Sequence, residues 1–229
     1  MVEKIELDTV KEKYKGTQAR NYERTRTTHS TWQKENEIVT DYLNFLQETW
    51  GVNSVIDVPV GTGRFFPIYK KLDIYTVGLD ISSDMLQQAK IKSENLDFLV
   101  ALQEEDIVDG SPEFTADLVV CTRFMNWINF ENFQKALTNI TLMADKYIVL
   151  ELGYLLEGEV NDSRTHRYQL NDIMETFDKL DITVEDKKRV TDESSDKRVF
   201  IYLLSVGGDD LENETTTTTK SWNNYFGVQ

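Results

Sequence analysis

An acid and two glycines lie close together in the stretch VIDVPVGTGRF, residues 55–65. Asp57 follows two apolar residues, and Gly61 and Gly63 come after it. Glycine has no Cβ and adopts positive φ readily, so a ligand can approach the backbone of such a turn closely. The stretch therefore predicts a binding turn at the end of a buried strand, with an acid beside it.

Two kinds of ligand suit such a turn: a dinucleotide, or the nucleoside of S-adenosylmethionine (SAM). A dinucleotide fingerprint is G-x-G-x-x-G, whose glycines hold pyrophosphate at a helix N-terminus. Here Pro59 replaces the first glycine, and the third glycine is missing. Asp57 would repel a pyrophosphate and attract a cationic amine. The turn therefore favours a ligand that has an amino group and no phosphates.

Other catalytic signatures are missing from the sequence. There is no H-E-x-x-H motif and no pair of cysteines at zinc-site spacing, so no metal site is predicted. No G-x-S-x-G elbow and no phosphate-loop ending are present. The single cysteine, Cys121, is predicted to be a buried strand residue rather than a nucleophile.

The elements that must position the turn alternate between strand and helix. Helices are predicted near 32–49, 64–72, 83–92, 129–144 and 169–180, and strands near 54–60, 74–82, 96–106, 116–124 and 146–154. Strands that are apolar on both faces indicate a parallel sheet covered on both sides. Two last strands, 182–190 and 197–206, have no helix between them and predict an antiparallel hairpin. The predicted fold is α/β, a three-layer, Rossmann-like, seven-stranded and mostly parallel sheet with an antiparallel terminal hairpin.

Helical spacing predicts which side chains of two helices face the core. In the first helix these are Ile38, Tyr42, Phe45 and Leu46, and in the last they are Ile173, Met174 and Phe177. Ser82 or Ser83 is the expected N-cap of the helix over 83–92.

Several segments, taken in order, resemble the motifs of class I SAM-dependent methyltransferases. VIDVPVGTG resembles the acid and glycine-rich turn of the first motif, and VGLDIS resembles the second, with Asp80 at the end of strand two. SDMLQQA matches the helix that commonly follows, EEDIVD resembles the segment that reaches the adenine, and ADLVVCTRFMNWI resembles the fourth strand and its loop. The resemblance covers about residues 50–206 and departs at Pro59, where the family usually has glycine.

The resemblance implies how these residues would bind SAM. Asp80 would accept both ribose hydroxyls, Asp57 would lie near the methionine amine, and Asp106 would accept from the adenine amino group. The full predicted set is Asp57, Pro59, Gly61, Gly63, Asp80, Ile81, Met85, Asp106, Ile107, Thr122 and Arg123. The other acids near Asp106 remain alternatives to it: Glu104, Glu105 and Asp109.

Two segments are expected to meet the methyl acceptor: residues 19–33, where the family often has a lid, and residues 163–169. Candidate substrate residues are Tyr22, Arg26, Trp32, Arg164 and Arg167. Methyl transfer depends largely on proximity and alignment, and a base is needed only for a protonated acceptor. Candidate bases are His29, Tyr22, His166 and Glu151, and Trp127 is assigned to packing.

The amino-acid composition bears on the binding partners and on the cellular location of the protein. The 229 residues have a net charge of −15, which opposes binding to nucleic acid phosphates. A single cysteine, no signal core and no apolar run of membrane length predict a cytoplasmic protein. The predicted division is residues 1–50, an N-terminal lid and helix; residues 51–206, a SAM-binding methyltransferase domain; and residues 207–229, a flexible polar tail.

The sequence thus predicts a SAM-dependent methyltransferase that acts on a small-molecule acceptor and releases S-adenosylhomocysteine. One alternative is a protein of the same fold that cleaves or senses SAM. Another is a methyltransferase for protein or RNA, which needs a basic or extended docking surface. A nicotinamide oxidoreductase is disfavoured by Pro59 and the missing third glycine.

Overall fold

Strands and helices alternate along the chain, as the sequence predicts. The computed structural model describes residues 14–27, 29–94, 97–110, 113–161 and 164–207. The strands are β1 (Ser54–Asp57), β2 (Tyr75–Asp80), β3 (Leu99–Glu104), β4 (Ala116–Cys121), β5 (Ala144–Leu155), β6 (Tyr168–Gln169), β7 (Ile182–Arg189) and β8 (Arg198–Val206). The α-helices are α1 (Thr17–Arg26), α2 (Ser30–Trp50), α3 (Phe66–Lys71), α4 (Ser83–Lys92), α5 (Phe130–Met143) and α6 (Leu170–Lys179), and a 3₁₀ turn spans Met125–Trp127.

All the strands belong to one sheet, in the order β3-β2-β1-β4-β5-β8-β7, and the short β6 pairs with β5. β8 runs antiparallel to β5 and β7, and the pairs among β1 to β6 are parallel. This confirms the predicted α/β fold and its terminal hairpin. From β1 the chain moves outward to β3 and then crosses back to β4, so the strand order reverses between β1 and β4. Sheets of this type leave a crevice at the carboxyl ends of the strands at that point.

Two hydrophobic clusters cover the two faces of the sheet and make the fold three-layered. Successive residues of β1 point to opposite faces, so Val55 belongs to one cluster and Ile56 to the other. The Val55 cluster includes side chains of α2, α3 and α4, and the Ile56 cluster includes those of α5 and α6. Because side chains of α2 belong to the same hydrophobic cluster as side chains of the sheet, α2 is part of the helical layer on that face. The predicted division of the chain into domains stays a prediction.

The structure departs from the sequence-based expectations at a few places. Helix α1 was not predicted, because its sequence TQARNYERTR has no apolar face and buries only Ala19. Phe45 is 48% exposed and Met174 is 38% exposed, so both predictions of burial are wrong. In α2 the buried face includes Leu43, about one turn before Leu46, in place of the predicted Phe45. The two-residue strand β6 is too short to give a periodic signal.

Local signals are confirmed where a cap or a proline sets a helix boundary. Ser82 is the N-cap of α4 and its hydroxyl accepts from the Met85 N–H at 3.3 Å. Pro67 lies in the first turn of α3, where its missing N–H costs no helical hydrogen bond. Across the described ranges, no helix has the length and apolar character needed to cross a membrane. The predicted flexible tail lies outside the described residues after Gly207.

Candidate active site

A cavity of about 980 Å³, counting its open mouth, lies at the carboxyl ends of β1, β2 and β4. Loops that follow these strands form its floor, and residues of the N-terminal segment and the first turn of α2 form its outer wall. Every predicted cofactor-binding residue except Gly63 lines it: Asp57, Pro59, Gly61, Asp80, Ile81, Met85, Asp106, Ile107, Thr122 and Arg123. Residues far apart in sequence therefore meet at the point where the strand order reverses.

Asp80 ends β2 and holds the glycine-rich turn through its carboxylate. The Gly61 N–H donates to Oδ2 at 2.8 Å, and the Ser82 N–H donates to Oδ1 at 2.8 Å. Burial raises the pKa of Asp80 to about 6, and these backbone donors oppose the rise. A carboxylate offers about four acceptor positions, more than these two donors occupy. Asp80 can therefore both fix the turn and accept from a ligand.

Asp57 ends β1 and lies deeper, with only 2% of its surface exposed. Within the described residues, its buried Oδ2 has no hydrogen-bond partner. Burial raises the pKa of Asp57 to about 8, although Tyr69 and Arg64 favour the charged form. A buried acceptor without a well-formed hydrogen bond is costly, and Asp57 lies on the cavity lining with the Tyr69 hydroxyl near it on the protein side. The geometry suits a ligand that brings a hydrogen-bond donor or a positive charge to Asp57.

The two glycines of the first turn have different structural roles. Gly61 has φ of 57°, and a Cβ there would lie 3.5 Å from Met85 Cε, so a side chain would be strained and would narrow the cavity. Gly63 has φ of 73°, and a Cβ there would lie 2.4 Å from the Phe66 ring. The missing Cβ of Gly63 therefore allows the turn to pack on Phe66, and the approach of Gly63 to a ligand stays a prediction.

The structure shows which acids of the loop after β3 lie at the cavity. Glu105 and Asp106 line the cavity with Ile107, whereas Glu104 and Asp109 do not. Asp106 Oδ1 accepts from the Val108 N–H at 3.1 Å, which ties the carboxylate to its own turn. The loop thus places an acid and an apolar side chain together on one wall.

An aromatic wall formed by Tyr14, Tyr22 and Trp32 covers the cavity from the N-terminal side. The ring centroids of Tyr14 and Tyr22 are 5.5 Å apart, and those of Tyr22 and Trp32 are 5.9 Å apart, both in edge contact. From the opposite side the loop after β4 contributes Phe124 and Trp127. The assignment of Trp127 to packing alone is therefore corrected, since this ring borders the cavity.

Specific hydrogen bonds hold the N-terminal segment against the glycine-rich turn and α4. The Gly16 N–H donates to Asp84 Oδ2 at 2.8 Å, and the Ser82 hydroxyl donates to the Tyr14 carbonyl at 2.9 Å. Glu23 accepts from the Thr62 hydroxyl at 2.7 Å and pairs with Lys92 at 2.6 Å. These contacts hold Tyr14 and Tyr22 at the cavity, and the assignment of residues 1–50 as a lid and helix stays a prediction.

A buried ionic cluster supports the aromatic wall. Glu35, on the buried face of α2, pairs with Arg64 at 2.7 Å and with Arg123 at 3.1 Å. Arg64 also donates from Nε to Asn36 and from Nη2 to the Trp32 carbonyl, both at 2.7 Å. Its guanidinium lies 3.7 Å from the centroid of the Trp32 ring. Glu35 thus joins α2 to the first turn and to the loop after β4.

Arg123 has a strained backbone at the edge of the cavity. Its φ is 59°, in the left-handed region that costs energy for a residue with a side chain. Its N–H donates to Glu151 Oε2 at 3.1 Å, and Nη1 donates to Glu35 Oε2 at 3.1 Å. Burial, together with the charge of Glu35, raises the pKa of Glu151 to about 8. Glu151 therefore supports the Arg123 backbone from behind the cavity lining.

The structure leaves several predicted residues outside the cavity: Gly63, Arg26, His29, Arg164, His166 and Arg167. Arg26 faces the outer side of α1, with its guanidinium 5.8 Å from the Tyr22 ring centroid. His29 is exposed between α1 and α2, and Arg164 is exposed in the loop after β5. The His166 N–H donates to the Asn126 carbonyl at 2.7 Å. Of the predicted substrate and base residues, Tyr22 and Trp32 are the ones that reach the cavity.

Sequence reasoning missed Tyr14, Glu35 and Arg64. One signal was available for Glu35, because it is three residues after Trp32 and three before Ile38, on the face that α2 buries. An acid on an apolar helical face needs a buried cation, and Arg64 meets that need. No periodic signal marks Tyr14 or Arg64.

The comparisons with known proteins agree with this geometry. The family model of a methyltransferase domain matches residues 55–144, from β1 to the start of β5. The matched segment contains Asp57, Gly61, Asp80 and Asp106, and the acidic and glycine-rich signals of the sequence fall within it. No curated protein matches the chain at the level of sequence.

Solved structures share the fold over most of the chain. Magnesium protoporphyrin IX methyltransferase from Synechocystis PCC 6803 with bound SAM is 14% identical, with a TM-score of 0.70 over 87% of this chain and 96% of that chain. A SAM-dependent methyltransferase from Clostridium acetobutylicum ATCC 824 is 15% identical, with a TM-score of 0.62 over 83% and 98%. The 1,6-didemethyltoxoflavin-N1-methyltransferase of Burkholderia thailandensis is 11% identical, with a TM-score of 0.60 over 83% and 84%. At these identities the likeness establishes the fold.

Proposed function

We propose that this chain, a SAM-dependent methyltransferase of the class I fold, transfers a methyl group to a small-molecule acceptor. The observation that carries the proposal is the covered cavity at the carboxyl ends of β1, β2 and β4. Tyr14, Tyr22 and Trp32 close its outer side, so an acceptor must fit beneath them. An enclosed site of this kind favours a small molecule over a surface of protein or RNA.

The residues of the cavity fit SAM. The unpartnered Oδ2 of Asp57 is an acceptor for the ammonium of the methionyl group. Asp80 has acceptor positions left for hydroxyls, and Asp106 with Ile107 offers an acceptor beside an apolar surface for the adenine. Gly61 leaves its backbone open on the cavity side, where a Cβ would approach Met85. These roles support the predicted cofactor site and stay part of the proposal.

Bound SAM supplies an electrophilic methyl group on a positively charged sulfur that leaves as a neutral thioether. The part of the chain that this structure describes places no histidine, lysine or cysteine on the cavity lining. We therefore assign catalysis mainly to alignment of the acceptor by the aromatic wall and the loop after β4. Among the predicted bases, Tyr22 is the one that lines the cavity, and burial raises its pKa; an acceptor atom with a free electron pair would need no base.

Two of the structural relatives are compatible with a small acceptor. One relative is a magnesium protoporphyrin IX methyltransferase, and another was solved with 1,6-didemethyltoxoflavin and S-adenosylhomocysteine. Both names refer to small molecules, and both folds align with more than four fifths of this chain. The prediction of a cytoplasmic location rests on composition and stays a prediction.

Calorimetric titration with SAM, S-adenosylhomocysteine and NAD in parallel tests the proposal. We expect the first two to bind and NAD not to bind. Methyl transfer is then measured on a panel of small acceptors, with a basic peptide and a structured RNA as the macromolecular comparison. Binding of NAD alone would overturn the assignment of the cofactor. Transfer to the peptide or the RNA, with none to small acceptors, would overturn the acceptor class, and SAM turnover without any acceptor would favour cleavage.

A further inference from the structure

We propose that Arg123 binds an anionic group of the methyl acceptor, and that the aromatic side chains around it hold an apolar, flat body. This inference rests on the proposed function and names the class of substrate on which the protein would act. The class is a small aromatic or heteroaromatic acid, held by its charge at Arg123 and by its rings between the N-terminal segment and the loop after β4.

The first support is the set of hydrogen bonds that Arg123 makes. A guanidinium has five N–H donors, and within the described ranges the Arg123 side chain donates one hydrogen bond, from Nη1 to Glu35. Its side chain keeps 24% of its surface exposed and lines the cavity. Arg64, by contrast, donates to three protein groups and is 9% exposed. Arg123 is therefore the guanidinium of this cluster with donors available to a ligand.

The second support is the balance of charge in the cluster. One carboxylate, Glu35, lies between two guanidiniums, those of Arg64 and Arg123. Glu151, on the other side of Arg123, accepts from the Arg123 backbone N–H and not from its guanidinium, and burial raises the pKa of Glu151. Because Arg123 shares Glu35 with Arg64, an anionic group of a ligand would give the Arg123 guanidinium a partner of its own. A carboxylate can accept from Arg123 with two parallel hydrogen bonds.

The third support is the composition of the surrounding wall. Tyr14, Tyr22 and Trp32 border the cavity on the N-terminal side, and Phe124 and Trp127 border it from the loop after β4. The Arg123 guanidinium lies 5.3 Å from the Trp32 ring centroid, so the charge and the rings belong to one surface. Flat rings stack on such walls at offset or edge-to-face geometry. The strained φ of 59° keeps Arg123 at this edge of the cavity.

The test uses pairs of probes that differ in one charge. Benzoate, phenylacetate, indole-3-acetate and 1-naphthoate are each compared with the corresponding carboxamide, on full-length protein saturated with S-adenosylhomocysteine. Trp32 and Trp127 provide a fluorescence signal at the site. We expect at least one acid to bind about tenfold tighter than its amide, the effect of one charge-assisted contact. The preference should vanish in Arg123→Met and survive in part in Arg123→Lys.

The control variant is Arg24→Met, which removes an exposed arginine of α1 outside the cavity and should keep the full acid preference. Acid and amide pairs that bind equally to the native protein would overturn the proposal. So would an acid preference that Arg123→Met leaves intact.

A second measurement tests whether Arg123 holds the carboxylate of the cofactor instead. S-adenosylhomocysteine and its decarboxylated analogue are titrated into the native protein and Arg123→Met. We expect the substitution to leave the affinity ratio of the two unchanged. Loss of affinity for S-adenosylhomocysteine alone would assign Arg123 to the cofactor and overturn the proposal. If S-adenosylhomocysteine fails to bind the native protein, the proposed function itself fails, so the two failures are distinguishable.

Discussion

Asp57 and Asp117 lie on adjacent strands, at opposite ends of the sheet. Their carboxylates differ in their hydrogen-bond partners and in the direction in which their pKa is shifted. At the amino end of β4, Asp117 accepts from the Asn53 N–H at 3.1 Å, from the Ser54 hydroxyl at 3.2 Å and from Lys146 at 2.8 Å. Although burial acts in the opposite direction, these donors lower the pKa of Asp117. At the carboxyl end of β1, Asp57 is buried with an unpartnered oxygen, and its pKa is raised to about 8.

The difference separates a carboxylate that stabilises the fold from one that is kept for a ligand. Asp117 receives its partners from the chain and strengthens the junction of β1, β4 and β5. Asp57 costs free energy in the absence of a ligand, and such local cost is typical of binding and catalytic sites. Asp80 lies between these cases, because the chain supplies donors to both of its oxygens and it still lines the cavity.

The largest effect is expected for Asp80→Ala. The substitution removes the acceptors proposed for the ribose and also releases the N–H groups of Gly61 and Ser82. We expect affinity for S-adenosylhomocysteine to fall by about 10- to 100-fold, the range for hydrogen bonds to a charged group. Calorimetric titration measures it, with circular dichroism to confirm folding. A folded variant with native affinity would show that the cofactor lies elsewhere.

Asp57→Asn should weaken binding by about tenfold, because an arriving ammonium favours ionisation of Asp57 and the amide cannot ionise. It should also change how stability depends on pH. The folded pKa of about 8 lies above the ordinary value, so the native protein loses stability as pH rises from about 4 to about 8. The variant lacks this loss, and its melting temperature relative to the native protein should increase with pH. A constant difference across that range would mean that Asp57 titrates normally.

Glu151→Gln tests whether a raised pKa alone marks a ligand-binding carboxylate. Like Asp57, Glu151 has a raised pKa, but it supports Arg123 from behind the cavity lining. Its pKa of about 8 also predicts native stability that falls as pH rises from about 4 to about 8. The glutamine can still accept from the Arg123 N–H. We expect a relative melting temperature that increases with pH, as for Asp57→Asn, while affinity for S-adenosylhomocysteine stays native. Weakened cofactor binding would place Glu151 within the cofactor site.

The smallest effect on the site is expected for Asp117→Asn. The substitution weakens the contacts with Lys146, Asn53 and Ser54 and should cost about 1–2 kcal/mol of unfolding free energy. Urea denaturation measures this loss, and titration should give native affinity for S-adenosylhomocysteine. Impaired binding in a folded Asp117→Asn protein would contradict the division between the two ends of the sheet.

The sequence predicted the sheet and the residues that the strand ends contribute to the cavity, because both depend on local patterns. Short stretches of sequence are enough to locate these features: the apolar strands that end in Asp57 and Asp80, and the turn at Gly61. The acceptor half was predicted less well. Its wall depends on Tyr14, whose neighbours give no periodic signal, and on Trp127, which resembled a packing residue.

Long-range contacts explain the remaining errors. Arg123 was predicted at the site, but its pairing with Glu35 across 88 positions of sequence could not be predicted from either local segment. The two histidines drew attention by residue type, yet His29 is exposed and His166 hydrogen-bonds to the chain beside the cavity. Residue type alone therefore overestimated their role, since a base must also reach the reacting atom.

The hydrogen bonds of the N-terminal segment also affect how fast ligands exchange. Contacts such as Gly16 to Asp84 and Glu23 to Thr62 hold Tyr14 and Tyr22 over one side of the cavity, so we expect them to slow the escape of a molecule beneath these rings. Weakening them should shorten the residence time of the product more than it changes the geometry of the bound state. The rate of product release should then depend in part on the pair Glu23–Lys92, which lies on the N-terminal segment and α4 and is not among the residues that line the cavity.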